Sequence, residues 1–153
     1  MPTIVHLHPM LVHFPIGLFF TSVFFDLAYQ LTGKTDFKKT AYYLLILGVG
    51  FGIIASGVGI YIEDTIQKSG ISEGHLDDHK GFAIAAMVSF IILLVFRFFK
   101  KNQISASVFN YYLILSLAGL MLLSVAGFYG GRLVYEDGAA VHLPDKMSTK
   151  PSS

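Results

Sequence analysis

Tyr42 to Ile62, YYLLILGVGFGIIASGVGIYI, runs for about six turns of helix without one charged residue. About 20 apolar residues are what a helix needs to cross a hydrocarbon core roughly 30 Å thick. The run is continuous rather than alternating, so it reads as a helix and not as a strand of a membrane barrel. Working outward from it, three further stretches have the same character. Met10 to Leu31 carries one acid, Asp26; about His79 to Phe99 carries Arg97 near its end; Tyr111 to about Leu133 lies in a run that is uncharged from Gln103 to Gly131. Four such spans in one chain predict an all-α, integral membrane, up-down four-helix bundle.

The composition agrees. Of 153 residues, 54% are apolar and 14% are charged, with a mean hydropathy of +0.62. An ordinary soluble domain is about 25% charged. A net charge of +1 without a basic cluster excludes the electrostatic footprint of a nucleic-acid binder. With no cysteine, the chain can form no disulfide, iron–sulfur cluster, thiolate metal site or covalent c-type haem attachment. Any metal must then be held by His, Met or oxygen. The chain divides into a four-helix transmembrane domain, residues 1–142, and a polar tail, residues 143–153, rich in Pro, Ser and Lys. No repeat with a period of 20–50 residues is found.

Orientation follows from the basic residues. Lys34, Lys38 and Lys39 flank one short connection, and Arg97, Lys100 and Lys101 flank the other; together they are more than half of the 11 Lys and Arg. The opposite end holds most of the acids: Glu63, Asp64, Glu73, Asp77, Asp78, Glu136, Asp137 and Asp145. The positive-inside rule therefore places the short connections in the cytoplasm and both termini outside. Nothing basic precedes the first span and no small-residue cleavage site follows it, so it reads as a mature helix rather than a signal peptide. Asp26, the one acid within a span, lies at the same end as Lys34, Lys38, Lys39 and Arg97. A charge pair or snorkelling is the simple account of it.

All 6 histidines, His6, His8, His13, His75, His79 and His142, fall at or near the outer end. Pro9 suits a first helical position, which makes His8 a flanking surface residue, with His13 deeper and turned inward by a bend at Pro15. His75 and His79 are one turn apart on the third helix and share a face. The first and third helices run in the same direction and are diagonal in an up-down bundle. His13 and His79 then face one another across the core, as the axial ligands of a b-type haem would. Space for a macrocycle is offered by Gly17, by Ala83 and Ala86, by the stripe Gly48, Gly52, Ser56 and Gly59, and by Gly119, Gly127, Gly130 and Gly131. Arg132, near the outer rim with Tyr129 and Tyr135, is a candidate partner for a haem propionate; its plainer role is to snorkel into the headgroups.

The strings HPMLVHFPIG (His8 to Gly17), Asp78-His79-Lys80-Gly81 and GGRLVYEDG (Gly130 to Gly138) together resemble the bacterial and archaeal family of predicted membrane proteins called domain of unknown function 2231. The resemblance covers about residues 6–142 and implies a multi-pass protein of the prokaryotic plasma membrane. The plan of four helices with paired histidines is also similar to that of four-helix membrane cytochromes b. That likeness implies His13 and His79 as haem ligands. No histidine lies on the cytoplasmic half, so one outer-side site is supported and a second haem stacked across the membrane is not.

The expected function is thus a membrane-anchored, b-type cytochrome-like electron carrier or complex subunit rather than a stand-alone enzyme. A basic soluble electron carrier would suit its acidic outer surface, and quinol is a candidate membrane-side donor. Two other readings compete. In one, His75 and His79, with His8, His13 or Asp78, hold Cu or Zn. In the other, the chain is a cofactor-free accessory subunit of a larger membrane complex.

Overall fold

A computed structural model describes residues 4–68, 73–100 and 105–139. The expected tail, 143–153, and His142 lie outside the described residues. Four helices follow in order: α1 (Ile4–Thr32), α2 (Thr35–Lys68), α3 (Glu73–Lys100) and α4 (Ala106–Tyr135). Each has 28 to 34 residues, which at 1.5 Å per residue makes it about 42–51 Å long. All four are long and apolar enough to cross a membrane. Each extends past the charge-free span that marks it in the sequence. The polar ends continue the helix because hydrogen bonding along the backbone does not stop where hydropathy does.

The α1–α2 turn is made by Gly33, which has φ 69°. Only a residue without a Cβ takes that left-handed position cheaply, and its N–H closes on the Tyr29 carbonyl at 2.8 Å. Helix α1 starts earlier than Pro9 suggests. Both Pro9 and Pro15 are inside it, each forfeiting the helical hydrogen bond to the carbonyl four residues earlier. His8 is consequently a helical residue and half-buried, not a surface flank.

The helices pack as two antiparallel hairpins, α1 with α2 and α3 with α4, with lighter contact between hairpins along α2/α3 and α1/α4. The pairs α1/α3 and α2/α4 lie on the diagonals, as expected for an up-down bundle, and α1 and α3 meet through side chains that cross the axis. Inward positions on α2 (Ala41, Leu45, Gly48, Gly52, Ala55, Gly59, Ile62) recur at alternating spacings of four and three, the pattern of a coiled-coil seam. Ser56 falls outside this row and is exposed. Large apolar side chains such as Phe14, Phe24, Ile53 and Phe128 point away from the core. Such a surface suits lipid rather than water.

At the end with the short connections, Arg97 from α3 is buried and donates to three other helices. Its Nη1 reaches both carboxylate oxygens of Asp26 on α1 at 2.8 Å and the Tyr112 hydroxyl on α4 at 3.1 Å. Its Nη2 donates to the Lys38 carbonyl on α2. The rings of Tyr42 and Tyr112 lie over the guanidinium at 5.7 and 5.4 Å. The lone intramembrane acid is therefore a charge pair. Next along the axis, Phe19 and Phe90 stack face to face with centroids 3.9 Å apart. Gly48 and Gly119 make room for them, since a Cβ would come within 2.8 Å of the Phe19 ring at Gly48 and 3.3 Å of the Phe90 ring at Gly119.

Removing one member of this pair leaves the other charge buried, which typically costs about 3–5 kcal/mol. Arg97→Leu alone is expected to destabilise the protein by that order. Asp26→Leu combined with Arg97→Leu should cost clearly less than the two single changes summed. Thermal unfolding of the detergent-solubilised variants measures both.

Candidate functional site

At the opposite end of the axis His8 from α1 and His79 from α3 come together. Their ring centroids are 6.2 Å apart and the ring planes stand at 87°. Each ring is anchored in the same way to the second helix of its own hairpin. Nδ1 of His8 donates to the Ala55 carbonyl at 3.0 Å, and Nδ1 of His79 donates to the Ala126 carbonyl at 2.8 Å. A carbonyl can only accept, so both imidazoles carry a proton on Nδ1, and in the neutral ring the lone pair is then on Nε2. Among the described residues no hydrogen bond engages either Nε2. Neither Nε2 is sealed away without a partner.

Glycine makes each anchor possible. A Cβ at Gly59 would lie 2.9 Å from Cε1 of His8, and one at Gly130 would lie 3.1 Å from Cε1 and Nδ1 of His79. The rings lie against bare backbone, with their Nδ1 edges toward α2 and α4. Next to the site, Phe82 and Tyr129 stack at 5.7 Å between α3 and α4, and Gly52 receives the Met87 thioether. The other small residues are less consistent as space-makers: Gly17, Gly127 and Gly131 have no atoms within 4 Å of where a Cβ would sit.

The remaining sequence candidates lie elsewhere. His13 is exposed, and its Nδ1 donates to the Pro9 carbonyl of its own helix at 2.6 Å. Five residues of a 3.6-residue helix turn a side chain by about 140°, so a helix that aims His8 at the axis aims His13 outward. His75 shares a helix with His79 but donates to Asp137, just past α4, at 3.0 Å. Arg132 is half-buried and pairs with Glu136 at 2.9 Å. Lys80 and Glu63 bridge α3 to α2 at 2.6 Å. Among the described residues no group of three or more His, Asp or Glu is arranged to hold a metal ion. The carbonyls of Ala55 and Ala126 and the glycines beside them are the part of the site that residue chemistry alone does not reveal. Their signal in the sequence is positional, because both histidines stand 47 residues before their acceptor.

A family profile described as DUF2231, predicted membrane protein, matches residues 5–143. The chain belongs to the DUF2231 family. All the elements that build the histidine pair, from His8 to Gly130, lie within the matched stretch. No curated protein and no solved structure matches this DUF2231 chain.

The closeness of Gly59 to His8 has a measurable consequence. Gly59→Ala forces the His8 ring off its anchor and should cost about 1–3 kcal/mol, the usual scale of overpacking. Gly57→Ala, with open space at its Cβ, should be neutral or stabilising by up to about 1 kcal/mol through helix propensity. Comparing the unfolding midpoints of the two variants separates the site effect from the general effect of glycine in a helix.

Proposed function

We propose that this DUF2231 protein is a membrane-anchored, b-type cytochrome-like electron carrier whose haem is held between the two hairpins by Nε2 of His8 and Nε2 of His79. The observation that carries this reading is the geometry of the pair. Two metal–nitrogen bonds of about 2 Å plus the two ring half-widths put imidazoles on opposite sides of one metal roughly 6–6.5 Å apart, centroid to centroid. The two rings stand at 6.2 Å. Their Nδ1–H groups donate to fixed backbone carbonyls, the outer-shell arrangement that sets the tautomer of a ligating histidine and raises its basicity.

The donor set also favours this cofactor over a bare ion. Zn²⁺ takes four protein or water ligands in a tetrahedron, and the pair offers two nitrogens, with His75 committed to Asp137. A haem needs only two axial ligands from the protein. A haem held by His8 and His79 would supply the acceptance and passing of single electrons rather than a place for substrate on the metal. The protein's residues supply the rest. Ala55 and Ala126 would orient the ligands, and Arg132 at the rim is the candidate partner for a propionate.

The positive-inside rule supports the orientation, with the basic short connections cytoplasmic and the histidine end outside a prokaryotic plasma membrane. The acidic rim, including Glu63, Asp64, Asp77, Asp78 and Asp137, suits a basic soluble redox partner, with quinol as the membrane-side donor.

Protein expressed with ample haem supply and purified in detergent is expected to show a Soret band and a sharp reduced α-band. His8→Ala and His79→Ala should each abolish or convert the low-spin spectrum, and His13→Ala should leave it intact. Perpendicular imidazole planes also predict a strongly anisotropic low-spin electron paramagnetic resonance signal in the oxidised protein. Absence of haem from well-folded wild-type protein would sink the reading and favour a cofactor-free subunit.

A further inference from the structure

The two hairpins are the same object displaced along the chain. Asp26 and Arg97 are 71 residues apart, and the same shift carries His8 onto His79, Phe19 onto Phe90, Gly48 onto Gly119, Ala55 onto Ala126 and Gly59 onto Gly130. Contacts follow the residues. His8 donates to Ala55 and rests on Gly59, while His79 donates to Ala126 and rests on Gly130. Phe19 packs on Gly48, and Phe90 packs on Gly119. Burial repeats in the same register even where residue types differ. Buried Ser22, Ala41, Leu45 and Ile62 correspond to buried Leu93, Tyr112, Ser116 and Leu133.

Three residues of the first hairpin also touch their own counterparts in the second: His8 with His79, Phe19 with Phe90, and Asp26 with Arg97. A position can meet its own equivalent only on a two-fold axis, as in an isologous dimer. Here the axis runs down the centre of the bundle, and α1 and α3 are parallel, so the relation is that of parallel repeats about the membrane normal.

We infer that the chain is a tandem duplication of one helical hairpin, residues 4–68 and 75–139. On this inference the histidine pair is a composite site with one equivalent half from each hairpin, and Asp26 and Arg97 are the complementary charges that make unlike halves meet. The inference goes beyond the haem reading and does not depend on what the imidazoles hold. Two first hairpins from separate chains would bring Asp26 against Asp26 on the axis, and two second hairpins would bring Arg97 against Arg97. Both arrangements bury like charges, so the surface of each hairpin selects the other kind of hairpin as its partner. The symmetry also says where an inverted pair would sit. An arginine at position 26 would find the carbonyl of Phe109 where Arg97 now finds that of Lys38.

The test inverts charges in the full chain. Asp26→Arg and Arg97→Asp, each alone, place like charges on the axis and should lose most of the monomeric protein recovered in detergent. The double variant D26R/R97D should restore a monomer. Differently tagged D26R and R97D chains, expressed together, should co-purify as a one-to-one dimer formed by exchange of hairpins, whereas two differently tagged wild-type chains should not. The inference is overturned if the double variant is recovered no better than the single variants and the two single variants fail to pair. As a readout independent of charge, side-chain ¹⁵N spectra of histidine-labelled wild-type protein should show His8 and His79 as the same Nδ1–H tautomer. Opposite tautomers would end the equivalence of the two halves. None of these measurements uses haem, so a failure here is distinguishable from a failure of the electron-transfer reading.

Discussion

Arg97 is the group on which the bundle depends. Its guanidinium is desolvated at the centre of four helices, where an unpaired charge would be prohibitively expensive. The cost is offset only by geometry, since the planar fork divides its donors between the Asp26 carboxylate, the Tyr112 hydroxyl and the Lys38 carbonyl. A lysine could not address those directions together. Each acceptor belongs to a different helix, so the requirement to satisfy one cation sets the relative position of all four. In a membrane this matters more than in water, because lipid is as apolar as the helix faces and supplies little hydrophobic drive for helices to associate.

From that clamp the structure can be followed along the axis. The charge pair joins α1 to α3 across a diagonal where the helix backbones do not approach. The Phe19–Phe90 stack then fills the middle, with Gly48 and Gly119 admitting its rings. The histidine pair closes the far end, its rings resting on Gly59 and Gly130. Polar, aromatic and imidazole layers all lie on the same line, and each is made of one residue from each hairpin. The arrangement holds the two hairpins at a defined separation. Beyond the histidines, Ile62, Ile66, Leu133 and Ala139 form a small apolar cluster of their own, and the Lys80–Glu63 and His75–Asp137 pairs tie α3 to its neighbours at the rim.

For Asp26 the residues left a charge pair and snorkelling both open, whereas four helices long and apolar enough to span a membrane, their order and their diagonals were legible in the residues themselves. The reason is that the bilayer imposes its constraint locally: each span must satisfy its own backbone and present apolar side chains, whatever its neighbours do. The two-fold repeat was much harder to read. Lipid-facing positions accept any large apolar residue, so Phe24 can correspond to Val95 and Tyr43 to Ile114, and similarity survives chiefly where side chains meet on the axis.

The identity of the histidine pair was decided by tertiary structure for a related reason. Sequence spacing places His8 and His13 near the same end, and Pro9 suggests a helix beginning after His8. Which of the two imidazoles faces the core depends on the rotation of α1 about its own axis. That rotation is set by distant contacts: the carbonyl of Ala55, the bare backbone at Gly59, the ring of Phe90 against Phe19, and the fork of Arg97 reaching Asp26. Hydropathy determines that a helix crosses the membrane, because transfer into lipid is a sum over its own residues. Only packing determines which way the helix turns, because that energy belongs to pairs of residues far apart in the chain.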